Sequence, residues 1–466
     1  MHCKDVMESD VCINCGACAT ISDKISFDFI NDTGFFEPRL AGLPSHHEWG
    51  KLDQVCPQSS SSRNENSLAN EKFTALTKKK KYVGHYLSNY AGHVNSSERL
   101  KSSSGGLLSF TLKQMLESSI IDAAIVCARS ENSSLYEFQF IKTTDDIAAS
   151  RGSHYYHTDF TVALKLIEET ELTLTLVGLP CQLKTFANLQ AIYPDKYSNV
   201  KFVLSVVCGH MKSSFFSEYI AAHGDINPDE LSQINFRQKE VGKYANNYSY
   251  KVRNKDGINK TIYQKDVYAS NWGFNLFRMP GCFYCDDVLG EVADATFGDA
   301  WIPPYIEDYQ GTNICIVRDR RIDELLLTAS ENHLIQLDKI HVDDVIESQM
   351  SGIKDRNRLL QQRLRDRIEK FKIAPKKRVK PRIIRNKNLR LRSRAQHAIA
   401  HSSIKAWSNS KTLDDFVDLI NDDKIIIDRI NASLKRSNFT EFFVRNVLSP
   451  RRGYRKLRQL IKEILR

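Results

Sequence analysis

A chain of 466 residues with 41% apolar and 26% charged residues has the balance of a soluble globular protein, of a length suited to roughly two to four domains. Its eleven cysteines are too few to staple a chain of this size and they cluster in sequence, which argues against a disulfide scaffold and for metal ligation in a reducing compartment. The net charge of +10 is local: twelve Lys/Arg and no Asp or Glu lie between Phe371 and Ser408, leaving 54 basic against 56 acidic residues elsewhere.

The N-terminus, Met-His-Cys-Lys-Asp, has no basic stretch leading into an apolar segment, and no apolar run approaches the roughly 20 residues that span a bilayer. A cytoplasmic location is the expectation. Residues 1–57 form a compact cysteine-rich module. Residues 58–81 open with Gln58-Ser-Ser-Ser-Ser-Arg-Asn-Glu-Asn-Ser67 and end in the lysine run 78–81, a polar stretch that reads as a linker. From 82 to 350 the pattern is mixed α/β. Helical spacing over Leu107–Leu116 precedes a strand at Ala123–Ala128. Strands over Leu172–Val177 and Lys201–Cys208 each run toward a cysteine, Cys181 and Cys208. The carboxyl ends of strands are where an α/β sheet places its ligands. Residues 351–466 form a basic, largely helical extension, and Tyr454, Leu457, Leu460, Ile461, Ile464 and Leu465 trace the apolar stripe of a basic amphipathic helix. The fold class is α/β (α+β).

Cys12, Cys15 and Cys18, each two residues from the next, put three thiolates on one loop. Cys56-Pro57 supplies a fourth ligand in the Cys-Pro form typical of bacterial ferredoxins. In a two-cluster ferredoxin a Cys-Pro would also stand four residues after Cys18, where this chain has Ser22-Asp23, and a second triplet would precede Cys56. Both are missing, so one cluster is lost as a unit and the other stays complete. Zinc also takes four cysteines, but usually as two pairs; the triplet favours a [4Fe–4S] cluster. Cys181, Cys208 and the pair Cys282 and Cys285 form a looser set beside turn-forming Pro and Gly residues, readable as a second cluster or as buried core thiols. Cys3, Cys127 and Cys315 lie in no such setting, and the last two read as core strand residues.

These cysteines stand among motifs that resemble the family of coenzyme F420 hydrogenase and dehydrogenase beta subunits, over roughly residues 10–320. The motifs are Cys-Ile-Asn-Cys-Gly-Ala-Cys at 12–18; Asp32-Thr-Gly-Phe-Phe-Glu-Pro38; Ser102-Ser-Ser-Gly-Gly106; Ser150-Arg-Gly-Ser-His-Tyr155; Gly178-Leu-Pro-Cys-Gln182; Cys208-Gly-His210; Phe236-Arg-Gln-Lys239; and Cys282-x2-Cys285 leading into Asp294-Ala-Thr-Phe-Gly-Asp-Ala-Trp301. The resemblance implies an iron–sulfur flavoprotein whose 82–350 domain binds FAD and a second cluster. It implies cofactor contacts at Ser103, Ser104, Gly105, Gly106, Ser153, Arg237 and Lys239. Read by themselves, Ser102–Gly106 before a helix offer either a phosphate cradle or an ordinary Ser cap. Arg237 and Lys239 suit either a pyrophosphate or a solvated loop, and Asp299 with Trp301 suit either a cofactor site or a strand end. No G-x-G-x-x-G or Walker A sequence is present. Leu179 departs from the family's usual Thr, Cys208-Gly-His210 from Cys-His-Gly, and His154 from its usual Lys.

The expected function is an oxidoreductase that relays single electrons through clusters to FAD for hydride exchange with F420, a nicotinamide cofactor or a dedicated substrate. Its partner would be an electron-donor or acceptor protein such as a ferredoxin or a partner subunit. Two alternatives remain: a non-catalytic electron-transfer subunit, or an iron–sulfur protein that meets nucleic acid or an anionic membrane through its basic segment. Sparse aromatic residues there argue against nucleic acid.

Overall fold

In the computed structural model the backbone is described for residues 1–447 apart from 131 and 133, and side chains are described through 435. The amphipathic stripe expected over 454–465 lies outside the described residues.

The N-terminal module is built around the hairpin β1 (Ile25–Ile30) and β2 (Phe35–Leu40), followed by the helix His46–Val55. That helix starts at a reciprocal cap, in which Ser45 and Glu48 satisfy each other's amides, and it stops at Cys56. The stretch 58–81, expected as a linker, is instead ordered and partly buried. It carries the helix Glu65–Lys72, opened by an Asn64 cap, and ends in the short pair β3 (Lys79–Lys80) and β4 (Gly84–His85). Leu68 and Phe73 are buried, and the buried Glu65 meets Lys184 at 3.3 Å. A serine-rich composition conceals these few anchoring side chains.

The central domain is an eight-stranded mixed sheet. Its strands are β5 (Ser88–Val94), β6 (Ala123–Arg129), β7 (Tyr136–Ile141), β8 (Leu174–Gly178), β9 (Val200–Val206), β13 (Ala295–Asp299), β14 (Asn313–Val317) and β15 (Ile335–Lys339). They lie in the order β15-β5-β14-β13-β9-β8-β6-β7. The middle four, β13, β9, β8 and β6, are parallel, and antiparallel strands complete both edges. Helices cover both faces, so the middle strands are apolar on both sides. On β6, Ala124 and Val126 pack with Leu112 and Met115 of the helix Leu107–Glu117 on one face. On the other face Ala123 and Ile125 pack with Phe160, Leu164 and Phe186. This alternation is the two-residue period of a strand.

A three-stranded antiparallel sheet, β10 (Leu231–Gln238), β11 (Ser249–Asn254) and β12 (Asn259–Tyr263), adjoins this domain. The last two helices, Lys387–Ser410 and Leu413–Val447, pack their Trp407 and Phe416 against Tyr219 and Phe277 in the same core. Over its described residues the extension is largely helical, and it is fastened to the body.

Candidate functional site

The loop after Val11 turns tightly because Asn14 and Gly16 both adopt left-handed backbone, at φ 49° and 71°. A side chain at Gly16 would also collide with Thr161 and Phe27. The loop directs Cys12, Cys15 and Cys18 into one apolar cavity, and the end of the helix His46–Val55 brings Cys56 to the same wall. The four expected ligands therefore converge, as a cubane requires. Cys3 joins them: it is buried beside Cys56, a position its isolation in sequence gave no reason to expect. The Cys56 thiol lies below its ordinary range because Cys3 donates to it, against burial, with the amides of Gln58 and Ser59 and the Lys377 ammonium helping. Burial pushes Cys15 up to about 11. Thiols held in this way must release protons when a metal takes them.

Cys181, Cys208, Cys282 and Cys285 line a second cavity, so the looser set also comes together. Cys181 stands in the first turn of the helix Pro180–Ile192, just past β8, where the helix dipole favours negative charge. Cys208 lies two residues beyond β9. Arg356 was not legible as part of this set. Its guanidinium donates to Cys285 Sγ at 2.8 Å and lies 3.8 Å from Cys208 Sγ, while also reaching the Gly209 carbonyl at 2.6 Å. Burial opposes its charge, but the surrounding thiols, Cys285 first, more than offset that. The Met211 amide donates to Cys282 Sγ at 3.4 Å.

The two thiol cavities share a wall. Cys15 lines both, and Thr185 lies 3.8 Å from Cys15 Sγ while donating to the Cys181 carbonyl at 2.9 Å. Gly281 presses so closely on the first loop that a Cβ there would sit 2.0 Å from the Cys12 carbonyl oxygen. His157 locks the same loop. Its Nδ1 accepts from the Phe36 amide at 3.1 Å, which leaves Nε2–H to donate to the Asn14 carbonyl at 2.9 Å. Burial pushes this imidazole down to about 4, so it is neutral.

A third, larger cavity of ≈ 300 Å3 opens at the carboxyl ends of β6, β8, β9 and β13, at the low end of small-molecule sites. Cys208, Leu179 and Gln182 line both it and the second thiol cavity. Of the expected cofactor contacts, Ser103, Ser104, Gly106, Ser153 and Arg237 line this cavity. Gly106, at φ 85°, opens the helix Leu107–Glu117 with no side-chain cap, and Asn313 takes the Leu107 amide at 3.0 Å. The following turn therefore faces the cavity as a helix N-terminus suited to an anion.

Two expected contacts fall elsewhere. Gly105 is packed against the sheet, where a Cβ would lie 2.5 Å from the Gly92 carbonyl oxygen; it permits close approach and does not face the cavity. Lys239 lies in an adjoining cleft and donates to the carbonyls of Arg99, Ser104 and Gln310, at 2.8 Å for Ser104. It clamps the loop that bears the serines. Arg237 is already neutralised by Asp299 at 2.6 Å and lies between the rings of Tyr248 and Trp301. Cys127, expected as a core residue, also lines the cavity from β6, whereas Cys315 is fully buried on β14. His154 stacks on Tyr136 with centroids 4.2 Å apart, and His210 lies 4.4 Å from Trp272. His210 Nε2 is buried with no hydrogen-bond partner among the described residues, an orphan polar atom in the wall.

An α/β chain with two thiol-lined cavities that share Cys15, and a larger cavity that shares Cys208 with the second, has a layout suited to a redox protein. Two sequence models bear this out: those for the N-terminal and C-terminal parts of the coenzyme F420 hydrogenase/dehydrogenase beta subunit match residues 89–165 and 172–343, together more than half of the chain. The chain belongs to this family, and its relatives support an oxidoreductase. It is 24% identical to a subunit of the F(420)H(2) dehydrogenase of Methanosarcina mazei over 64% of this chain and 78% of that protein. It is 21% identical to the coenzyme F420-dependent sulfite reductase of Methanocaldococcus jannaschii over 72% of this chain but only 48% of that protein. It is 22% identical to the beta subunit of the coenzyme F420 hydrogenase of Methanococcus voltae over 49% of this chain and 79% of that protein. A chain of the F420-reducing [NiFe] hydrogenase complex of Methanosarcina barkeri aligns at 18% identity with a TM-score of 0.49, over 64% of this chain and 99% of that one.

Proposed function

We propose that this chain is an iron–sulfur flavoprotein oxidoreductase, with one [4Fe–4S] cluster on Cys12, Cys15, Cys18 and Cys56 and a second on Cys181, Cys208, Cys282 and Cys285. FAD would occupy the large cavity, and the hydride partner would be F420, a nicotinamide cofactor or a dedicated substrate. The single observation that carries this reading is the shared walls: Cys15 belongs to both thiol cavities, and Cys208 to both the second thiol cavity and the large one.

When bound, FAD supplies the exchange between single electrons and hydride pairs. The chain's own residues prepare each place. Arg356 and the dipole of the helix Pro180–Ile192 balance negative charge at the second thiol set. The first turn of the helix Leu107–Glu117, where Leu108 and Ser109 line the cavity, and the hydroxyl of Ser103 suit a pyrophosphate, while the Ser104 hydroxyl donates to the Thr312 carbonyl at 3.0 Å. Asp299 holds Arg237 in one orientation on the wall, and Trp272, Tyr155 and His210 enclose the far side and keep water out. Two of the relatives are named as subunits of larger enzymes, which supports a partner subunit or carrier protein as the source or sink of electrons.

The test is purification without oxygen. About eight iron and eight sulfide per chain, with FAD released by acid, is the expected result. A colourless protein loaded with zinc would end the proposal.

A further inference from the structure

The basic segment divides its charges between two sides. Residues 373–386 form an extended strap without regular secondary structure, leading from the helix Leu360–Phe371 to the helix Lys387–Ser410. On its inner side Lys377 is almost fully buried against Asp286, and Arg378 joins Glu65, Asp286 and Glu291 at 2.6–3.3 Å. Ala374 and Val379 pack into the same apolar cluster as Cys12 and Cys56. The strap therefore packs on the apolar cluster that Cys12 and Cys56 also join. On its outer side Lys372, Lys376, Lys380, Arg382, Arg385 and Lys387 are exposed, and none of them forms an ion pair among the described residues. Two apolar side chains stand among them, Phe371 at 50% and Ile383 at 59% exposure.

We propose that this outer face docks an acidic electron-carrier protein that exchanges electrons with the first cluster, an inference that rests on the cluster assignment above. Six unpaired cations over one short stretch make a positive field that steers a negatively charged protein to this side. Exposed apolar side chains within a charged rim match the anatomy of a protein interface. Positive charge alone also attracts anionic lipid, but the apolar side chains set within the charged rim favour a protein, and vesicles are an arm of the test. The docked carrier would lie on the side of the molecule where the strap meets the apolar cluster of Cys12 and Cys56.

The probe is a small, strongly acidic ferredoxin, used with the full chain under anaerobic conditions. Its binding to immobilised protein and its rate of cluster reduction in stopped flow are compared with reduction by dithionite. The triple variant Lys376→Glu/Lys380→Glu/Arg382→Glu is expected to lose tenfold or more in ferredoxin affinity and reduction rate, with dithionite reduction unchanged. In wild type both should fall steeply with added salt. The milder Lys376→Gln/Lys380→Gln/Arg382→Gln variant should show a smaller loss in the same direction, and unchanged melting temperatures would confirm intact folding. Equal ferredoxin binding by wild type and the triple variant would overturn the proposal. So would loss of binding only to phosphatidylglycerol vesicles or to a DNA duplex, which would reassign the face to a membrane or to nucleic acid. Salt-sensitive ferredoxin binding without electron transfer, with dithionite still reducing the cluster, would overturn the proposed exchange, whereas no dithionite-reducible iron–sulfur absorbance would sink the cluster assignment itself.

Discussion

Arg356 sets the electrostatics of the second thiol set, because a guanidinium at hydrogen-bond distance from Cys285 stabilises added negative charge. Replacing it by Met should make the proposed second cluster harder to reduce by on the order of 100 mV, taking a unit charge about 6 Å away at an effective dielectric of about 20. An EPR-monitored redox titration measures this, and an unchanged potential would show that Arg356 is only structural. Cys3 and Cys56 are neighbours with different expected roles. A Cys3→Ser variant should keep its full iron content, whereas Cys56→Ser should lose about half of it. The neutral His157 gives a third test. Its imidazole titrates near 4 in the folded chain against 6.5 when free, so the unfolded state binds more protons between those values. Stability should fall as pH drops from about 6.5 toward 4, by on the order of 3 kcal/mol. Denaturant unfolding at several pH values would read this, and a His157→Asn variant should show a shallower slope.

At the scale of elements, the Cys12 triplet was legible because its spacing lies within one loop, and Cys56-Pro57 because the pair carries its own signature. Strand β8 was legible from the alternation of Leu and Thr over Leu172–Val177, and β9 from its apolar run toward Cys208. Arg356, Thr185 and His157 were not, since an arginine in a basic helical stretch or a histidine in a loop has no local pattern that names its partner. Nor could composition separate Lys377 and Arg378, which turn inward, from Lys376 and Lys380, which face water. The contact between the two cysteine loops belongs to this scale as well. A Gly281→Ala substitution drives a methyl into the Cys12 carbonyl, where backbone has to give way. The expected cost is about 1–3 kcal/mol of stability together with lower iron content, measured by thermal melts and iron assay. Full iron and an unshifted melt would show that the loops can part freely.

Across the whole molecule, residues far apart in sequence close around the thiols. Arg367 pairs with Asp10, Arg378 with Glu65, and Trp407 donates to Glu218 at 2.9 Å. All eight proposed cluster ligands lie between residues 12 and 285, while Arg356, Lys377 and Arg378, which surround them, lie downstream. Synthesis runs from the N-terminus, so every sulfur leaves the ribosome before the residues that seal it. The segment that carries Arg356, Lys377 and Arg378 therefore reaches the thiols only after all eight have been made. A chain cut short before residue 356 would keep every one of those sulfurs and lack the three basic side chains that lie against them.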